Sequence, residues 1–156
     1  MVIGSSGHAQ AVLEAADTAG FVVVGEVSTA NLDGDKGFAS LISALRDVDL
    51  VTTALALGHG ANHVRFRAFE EVISEFPRAQ FPPIIHSSAW VSPTASLGQG
   101  AVVLAQASVG SGSTLGVGAL INTGASLDHD STLGDFASLG PGARTGGNTL
   151  IGPRTM

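Results

Sequence analysis

The chain has no cysteine among its 156 residues. That excludes disulfides and thiolate chemistry, and it fits a reducing compartment such as the cytosol. Charge is also scarce. Charged residues make up 13% of the chain against 44% hydrophobic ones, and the formal net charge is −6. That balance belongs to a globular chain rather than a disordered one. No basic run is present, which argues against a nucleic-acid partner. No apolar stretch is long enough to span a bilayer, and no secretory-signal pattern precedes the first fold element. A cytoplasmic protein without membrane insertion is expected.

What the chain does have is a six-residue repeat from Ile85 to Met156. The frames read IHSSAW, VSPTAS, LGQGAV, VLAQAS, VGSGST, LGVGAL, INTGAS, LDHDST, LGDFAS, LGPGAR, TGGNTL and IGPRTM. The first position is Ile, Val or Leu in eleven of the twelve, with Thr145 the exception. The fifth is always small: eight Ala, then Ser113, Ser131, Thr149 and Thr155. A short fixed period with apolar and small residues at set offsets marks a hexapeptide β-helix. Three frames close one triangular coil, with the first and fifth residues pointing inward. Twelve frames give four coils, 85–102, 103–120, 121–138 and 139–156. Coils spaced like paired strands stack to a prism about 19 Å tall.

Residues 1–82 lack this period. Val2-Ile3 reads as a strand, Gly4 to Ala9 (GSSGHA) as a loop, and Ala9 to Ala19 as a helix with Val12, Leu13 and Ala16 on one face. Phe21 to Val27 is nearly all apolar, as expected of a strand buried on both faces. Gly34 to Gly37 breaks the chain. Phe38 to Arg46 reads as a helix, Asp49 to Leu57 as a strand and Ala61 to Phe76 as a helix, with Phe81 to Ile85 a last strand. Pro82-Pro83 marks the junction between domains 1–82 and 83–156. Strand–helix alternation predicts a small parallel α/β sheet of Rossmann type. The first turn aims backbone N–H groups and a helix start at one point, formed by Gly4, Ser5, Ser6, Gly7 and His8, which suits an anion.

A glycine-rich turn with His, followed by a prism carrying NTGASLDHD, resembles the sugar O- and N-acetyltransferases of bacterial surface-glycan synthesis. These include the sialic acid O-acetyltransferase type and the N-acetyltransferases of nucleotide-linked 4-amino sugars. The most specific segment is Ile121 to Asn148. The resemblance implies a left-handed β-helix, acetyl-coenzyme A as co-substrate, and a homotrimer with active sites between neighbouring prisms. It also implies that the N-terminal domain holds a nucleotide-linked or sialic-acid-like sugar. His129 matches the family's general base, and His titrates near the working pH. Asp128 and Asp130 flank it, and either suits the acidic partner. His8 matches a position near the sugar nucleotide. Asn62 and Arg65 match an N-x-x-R beyond the third strand, where Arg65 would pair with a phosphate. Asn122, Gly146, Gly147 and Asn148 match positions near acetyl-coenzyme A. No metal is implied.

Coil arithmetic bears on the same residues. Residues eighteen apart stack, so His129 lies between Ser111 and Gly147, and Asp130 between Gly112 and Asn148. Small flanks predict a dent beside His129, with the Gly147 N–H as an oxyanion donor. His59, His63 and His86 acquire no role.

The chain departs from the family at three places. Ser28, in VGEVSTANLDG, stands where an Asp is expected to hold the nucleoside. Ser138 stands where many members carry a second His. The repeat stops at Met156, whereas members continue for several coils. The expectation is therefore a chain short of its C-terminal coils, with a non-catalytic nucleotide-sugar-binding or structural trimer module as the alternative function. A prism-class carbonic anhydrase is excluded, because it needs two His on adjacent coils. The prism has only His86 and His129, and their separation is not a multiple of eighteen.

Overall fold

The computed structural model describes residues 1–27 and 35–156. Ser28 and the segment through Gly34 lie outside the described residues. Three parallel two-residue strands open the fold: β1 (Val2–Ile3), β2 (Glu26–Val27) and β3 (Ala56–Leu57), in the order β2-β1-β3. Between and after them come α1 (Gly7–Thr18), α2 (Asp35–Leu45) and α3 (Asn62–Glu75). Helix α1 is rich in Ala, Leu, Gln and Glu, which are good helix formers. Its buried residues Ala9, Val12, Ala15 and Ala16 recur at helical spacing, giving the single apolar face of an amphipathic helix. Gly20, with φ +88°, follows its end.

The N-terminal expectations need four corrections. The strand expected over Phe21–Val27 shrinks to β2, and it is not buried on both faces. Val22 is 87% exposed, because the segment runs up to an edge strand that, among the described residues, pairs only with β1. The strand expected over Asp49–Leu57 shrinks to β3. Its first half is a turn in which the Asp49 carboxylate accepts bonds from the Val51 N–H and the Thr52 hydroxyl. Gly37 does not break the chain but lies inside α2. Finally, Ile84–Ile85 does not join the N-terminal sheet; it is the first strand of the prism.

From there strands recur every six residues, with one interval of twelve before the last: β4 (Ile84–Ile85), β5 (Trp90–Val91), β6 (Ser96–Leu97), β7 (Val102–Val103), β8 (Ser108–Val109), β9 (Thr114–Leu115), β10 (Leu120–Ile121), β11 (Ser126–Leu127), β12 (Thr132–Leu133), β13 (Ser138–Leu139) and β14 (Leu150–Ile151). They form three parallel sheets, β13-β10-β7-β4, β11-β8-β5 and β14-β12-β9-β6. Leu120 pairs with Val102 on one side and Ser138 on the other, an offset of eighteen each way. This is the expected stack of four coils. The interior is built of first-position Val103, Val109, Leu115, Ile121, Leu127 and Leu133, together with fifth-position alanines. Where the repeat passes from Arg144 to Thr145 the pairing is a single bridge between Ser126 and Arg144.

The first prism sheet does not face solvent. Its outward residues Ile84, Val102 and Leu120 pack with Val2 and the buried face of α1 in one core. Beside it, Phe136 meets Phe66 edge-on at 5.3 Å and Phe69 at 5.6 Å. The N-terminal half thus covers one of the three prism faces and shares its hydrophobic core. Among the described residues no helix is long and apolar enough to cross a membrane.

Candidate active site

The corner joining β11 to β12 carries Asp128, His129, Asp130 and Ser131. The adjacent coils fix its backbone. The Asp130 N–H donates to the Ser111 carbonyl at 2.8 Å, and the Asn148 N–H donates to the His129 carbonyl at 2.9 Å. From inside the prism a column of hydroxyls completes the support. Ser113 Oγ donates to the Asp128 carbonyl at 2.7 Å, and Ser131 Oγ donates to the His129 carbonyl at 3.1 Å. Ser113 Oγ in turn accepts the Ser131 N–H, and Ser131 Oγ accepts the Thr149 N–H. Both serines are 1% exposed, so each hydroxyl needs these partners. Sequence reasoning noted these exceptions to fifth-position Ala but gave them no role. The signal was their spacing, since 113, 131 and 149 lie eighteen apart.

Geometry separates the two aspartates. Asp130 Oδ2 lies 2.9 Å from His129 Nδ1. Asp128 Oδ1 instead accepts the His129 backbone N–H at 2.8 Å. The Asp130 hydrogen bond, aided by the Asp128 charge, raises the pKa of the exposed His129 ring above its ordinary value. A neutral ring that gives its Nδ1 proton to a carboxylate presents Nε2 as a base. The ring lies against the next coil: a Cβ built at Gly147 would sit 2.5 Å from His129 Cε1. The space expected as a dent beside Gly147 is taken by the imidazole itself. Thr145, the one polar first-position residue, accepts the Asp128 N–H on Oγ1 at 3.0 Å. That bond takes the place of a regular strand pairing and accounts for the lone bridge there.

At the other expected site, the turn after β1 packs against the turn after β3. A Cβ on Gly4, whose φ is +144°, would meet the Gly58 carbonyl oxygen at 2.8 Å. Ser5 and Ser6 are exposed, and Ser6 precedes α1 without a side-chain cap bond. His8 is half-buried, and its Nε2 has no hydrogen-bond partner among the described residues. Burial, then the charges of Arg65 and His59, push its pKa down to about 4. His59 is lowered for the same first reason, so sequence reasoning missed a second neutral imidazole here. The available signal was the GHG of Gly58–Gly60 directly after a strand.

Asn62 and Arg65 face the protein interior. Arg65 is 1% exposed. Its Nε donates to the Gly118 carbonyl, and one terminal nitrogen donates to the carbonyls of His59 and Gly60. The other donates to Asn62 Oδ1, the Phe136 carbonyl and Ser138 Oγ. Asn62 Nδ2 donates to the carbonyls of Arg154 and Thr155. Ser138 Oγ donates to Asn62 Oδ1 at 2.6 Å. The phosphate-pairing expectation for Arg65 therefore gives way to a buried polar clasp between α3 and the prism.

The structure brings His129, Asp128, Asp130, Gly146, Gly147 and Asn148 together. Asn122 is not among them, because it lies on the corner between β10 and β11, with Oδ1 accepting the Thr123 N–H. The Gly4–His8 turn is also apart, since the N-terminal half covers the prism face opposite the His129 corner. Among the described residues no cluster of three His, Cys, Asp or Glu could hold a metal.

The described residues thus form a parallel β-solenoid of hexapeptide coils with a carboxylate-paired histidine on an outer corner. Solved structures sharpen this. The acetyltransferase domain of PglB from Neisseria gonorrhoeae is 33% identical with a TM-score of 0.83, over 98% of this chain and 76% of that one. The same domain in complex with acetyl coenzyme A matches at 32% identity and TM-score 0.80, over 96% and 74%. A histidine-to-asparagine mutant of perosamine N-acetyltransferase from Caulobacter crescentus, in complex with CoA and GDP-perosamine, is 30% identical with a TM-score of 0.83, over 98% and 74%. No family model and no curated protein sequence matches the chain. The chain belongs to the sugar acetyltransferases of the left-handed β-helix class, and it is an acetyltransferase.

Proposed function

We propose that the protein transfers an acetyl group from acetyl-coenzyme A to an amino or hydroxyl group of a nucleotide-linked sugar in bacterial surface-glycan synthesis. The observation that carries this is the His129–Asp130 pair at 2.9 Å on an exposed corner. Neutral Nε2 takes the proton from the sugar nitrogen or oxygen as that atom attacks the thioester carbonyl. The tetrahedral oxyanion meets the Gly147 N–H. Collapse expels the thiolate of coenzyme A, which recovers the proton from the imidazolium. Asp130 holds the ring by Nδ1, and Asp128 holds its backbone. Acetyl-coenzyme A lies along the prism by Gly146, Gly147 and Asn148.

We read residues 1–82 as a Rossmann-like nucleotide-sugar domain and residues 83–156 as the acyltransferase prism. Three parallel strands with flanking helices support the first reading. Gly4 to His8 contact the nucleotide-sugar, while Asn62 and Arg65 hold the two parts together. The GDP-perosamine complex of the Caulobacter relative favours a nucleotide-linked amino sugar over a sialic-acid-like acceptor. Because the Gly4–His8 turn and His129 lie on opposite sides of one prism, the complete site needs a second copy. This supports a homotrimer with sites between prisms, in the cytoplasm where nucleotide sugars are made.

The test is thiol release from acetyl-coenzyme A with GDP-perosamine as the first acceptor, free of background from protein cysteine. Wild type turns over and His129→Ala does not. Turnover by His129→Ala at the wild-type rate would remove the base from the mechanism.

A further inference from the structure

The His129 corner depends on what the coil above it lacks. Asp130 adopts φ +53°, a left-handed conformation that few non-glycine residues take. In that conformation its carboxylate folds back along the corner, with Oδ2 on His129 Nδ1 and Oδ1 over the preceding coil. The residue facing Oδ1 is Gly112. A Cβ built there would lie 2.6 Å from Asp130 Oδ1, well inside van der Waals contact. Gly112 itself has φ +67°.

Taking His129 as the base, we infer that Gly112 is a positioning residue: its missing side chain is what allows Asp130 to reach His129. A methyl group at position 112 would take the space of Asp130 Oδ1, so the exposed carboxylate turns aside, and that turn draws Oδ2 off Nδ1. The rest of the corner stays in place, because the Asp130 N–H and the His129 carbonyl are held by Ser111 and Asn148. The perturbation therefore falls on the carboxylate alone. The charged groups facing the ring are Asp130 and Asp128, and Asp128 is tied to the His129 backbone N–H. The raised His129 pKa, with the Asp130 bond as its first cause, fits this arrangement.

Gly142 supplies the control. Its φ is +68°, and a Cβ built there meets nothing within 4 Å. Alanine at position 142 thus carries the same backbone penalty as alanine at position 112, without the collision.

The experiment is an NMR titration of the His129 ring in the full chain, as wild type, Gly112→Ala, Gly142→Ala and Asp130→Asn. Gly112→Ala and Asp130→Asn are expected to lower the His129 pKa alike, while Gly142→Ala leaves it at the wild-type value. The Gly112→Ala/Asp130→Asn double variant shifts no further than either single one. Where acetyl transfer is followed, Gly112→Ala loses part of the roughly 10²–10⁴-fold that a positioned acid–base group contributes to kcat. A Gly112→Ala titration matching Gly142→Ala overturns the inference, as does an Asp130→Asn titration matching wild type. The second comparison needs no glycine variant to fold. Full turnover by His129→Ala would instead strike the reading of His129 as base, and it leaves these titrations to be judged separately.

Discussion

Replacing Arg65 by Ala tests the largest revision the fold imposes on the sequence. A phosphate-binding arginine is solvated in the free protein, and its loss weakens substrate binding while leaving stability alone. The observed Arg65 is buried and donates to five backbone or side-chain oxygens of other segments at 3.1 Å or less, with a sixth bond to Asn62. Removing it strands the carbonyls of Gly118 and Phe136 and the Asn62–Ser138 pair in a dry interface. Hydrogen bonds to a charged group contribute about 1.5–3 kcal/mol each, and an unsatisfied buried group costs about 1–3 kcal/mol. These are not additive, and removing the guanidinium also relieves its own desolvation, which already lowers its pKa to about 10. The net cost is about 3–5 kcal/mol, the scale for breaking a buried charged network. At about 2–4 °C per kcal/mol for a chain of this size, the melting temperature falls by roughly 6–20 °C. Differential scanning calorimetry reads this directly. A loss below about 2 °C, on the same scale, would refute the clasp and return Arg65 to the surface.

Three further outcomes follow from the same geometry. Phe136→Ala removes the ring between Phe66 and Phe69, so it costs about 3–5 kcal/mol by chemical denaturation; a cost near zero would mean the two halves share no aromatic core. His8 has a folded pKa of about 4 against an ordinary 6.5. Its neutral form therefore supports the fold above 6.5, and stability drains as pH falls from 6.5 toward about 4; His8→Gln should flatten that part of the stability–pH curve. Light scattering should return three chains per particle, and a strict monomer at micromolar concentration would leave His129 without a facing sugar-nucleotide domain.

The prism was legible because each coil repeats the chemistry of the last. Six-residue spacing puts Val103, Val109, Leu115 and Ile121 inside whatever surrounds them, and pairing partners always lie eighteen residues away. The N-terminal half lacks that redundancy. Its strands are two residues long, too short for periodicity to bound, and the apolar run Phe21–Val24 reads as buried although it leads to an edge strand. The site was half legible. DHD points to His129, but which aspartate meets its ring follows from the left-handed turn of Asp130, a backbone feature that the residue pattern does not announce. Arg65 was misread for a different reason. Its partners Gly118 and Ser138 are 53 and 73 residues distant, and nothing local announces them.

The most direct test of the central claim is a calorimetric titration of the chain with acetyl-coenzyme A, beside its His129→Ala variant. If the prism corner is an acetyl-transfer site and His129 supplies chemistry rather than binding, both proteins bind with similar affinity. Failure of the wild type to bind acetyl-coenzyme A would contradict the account.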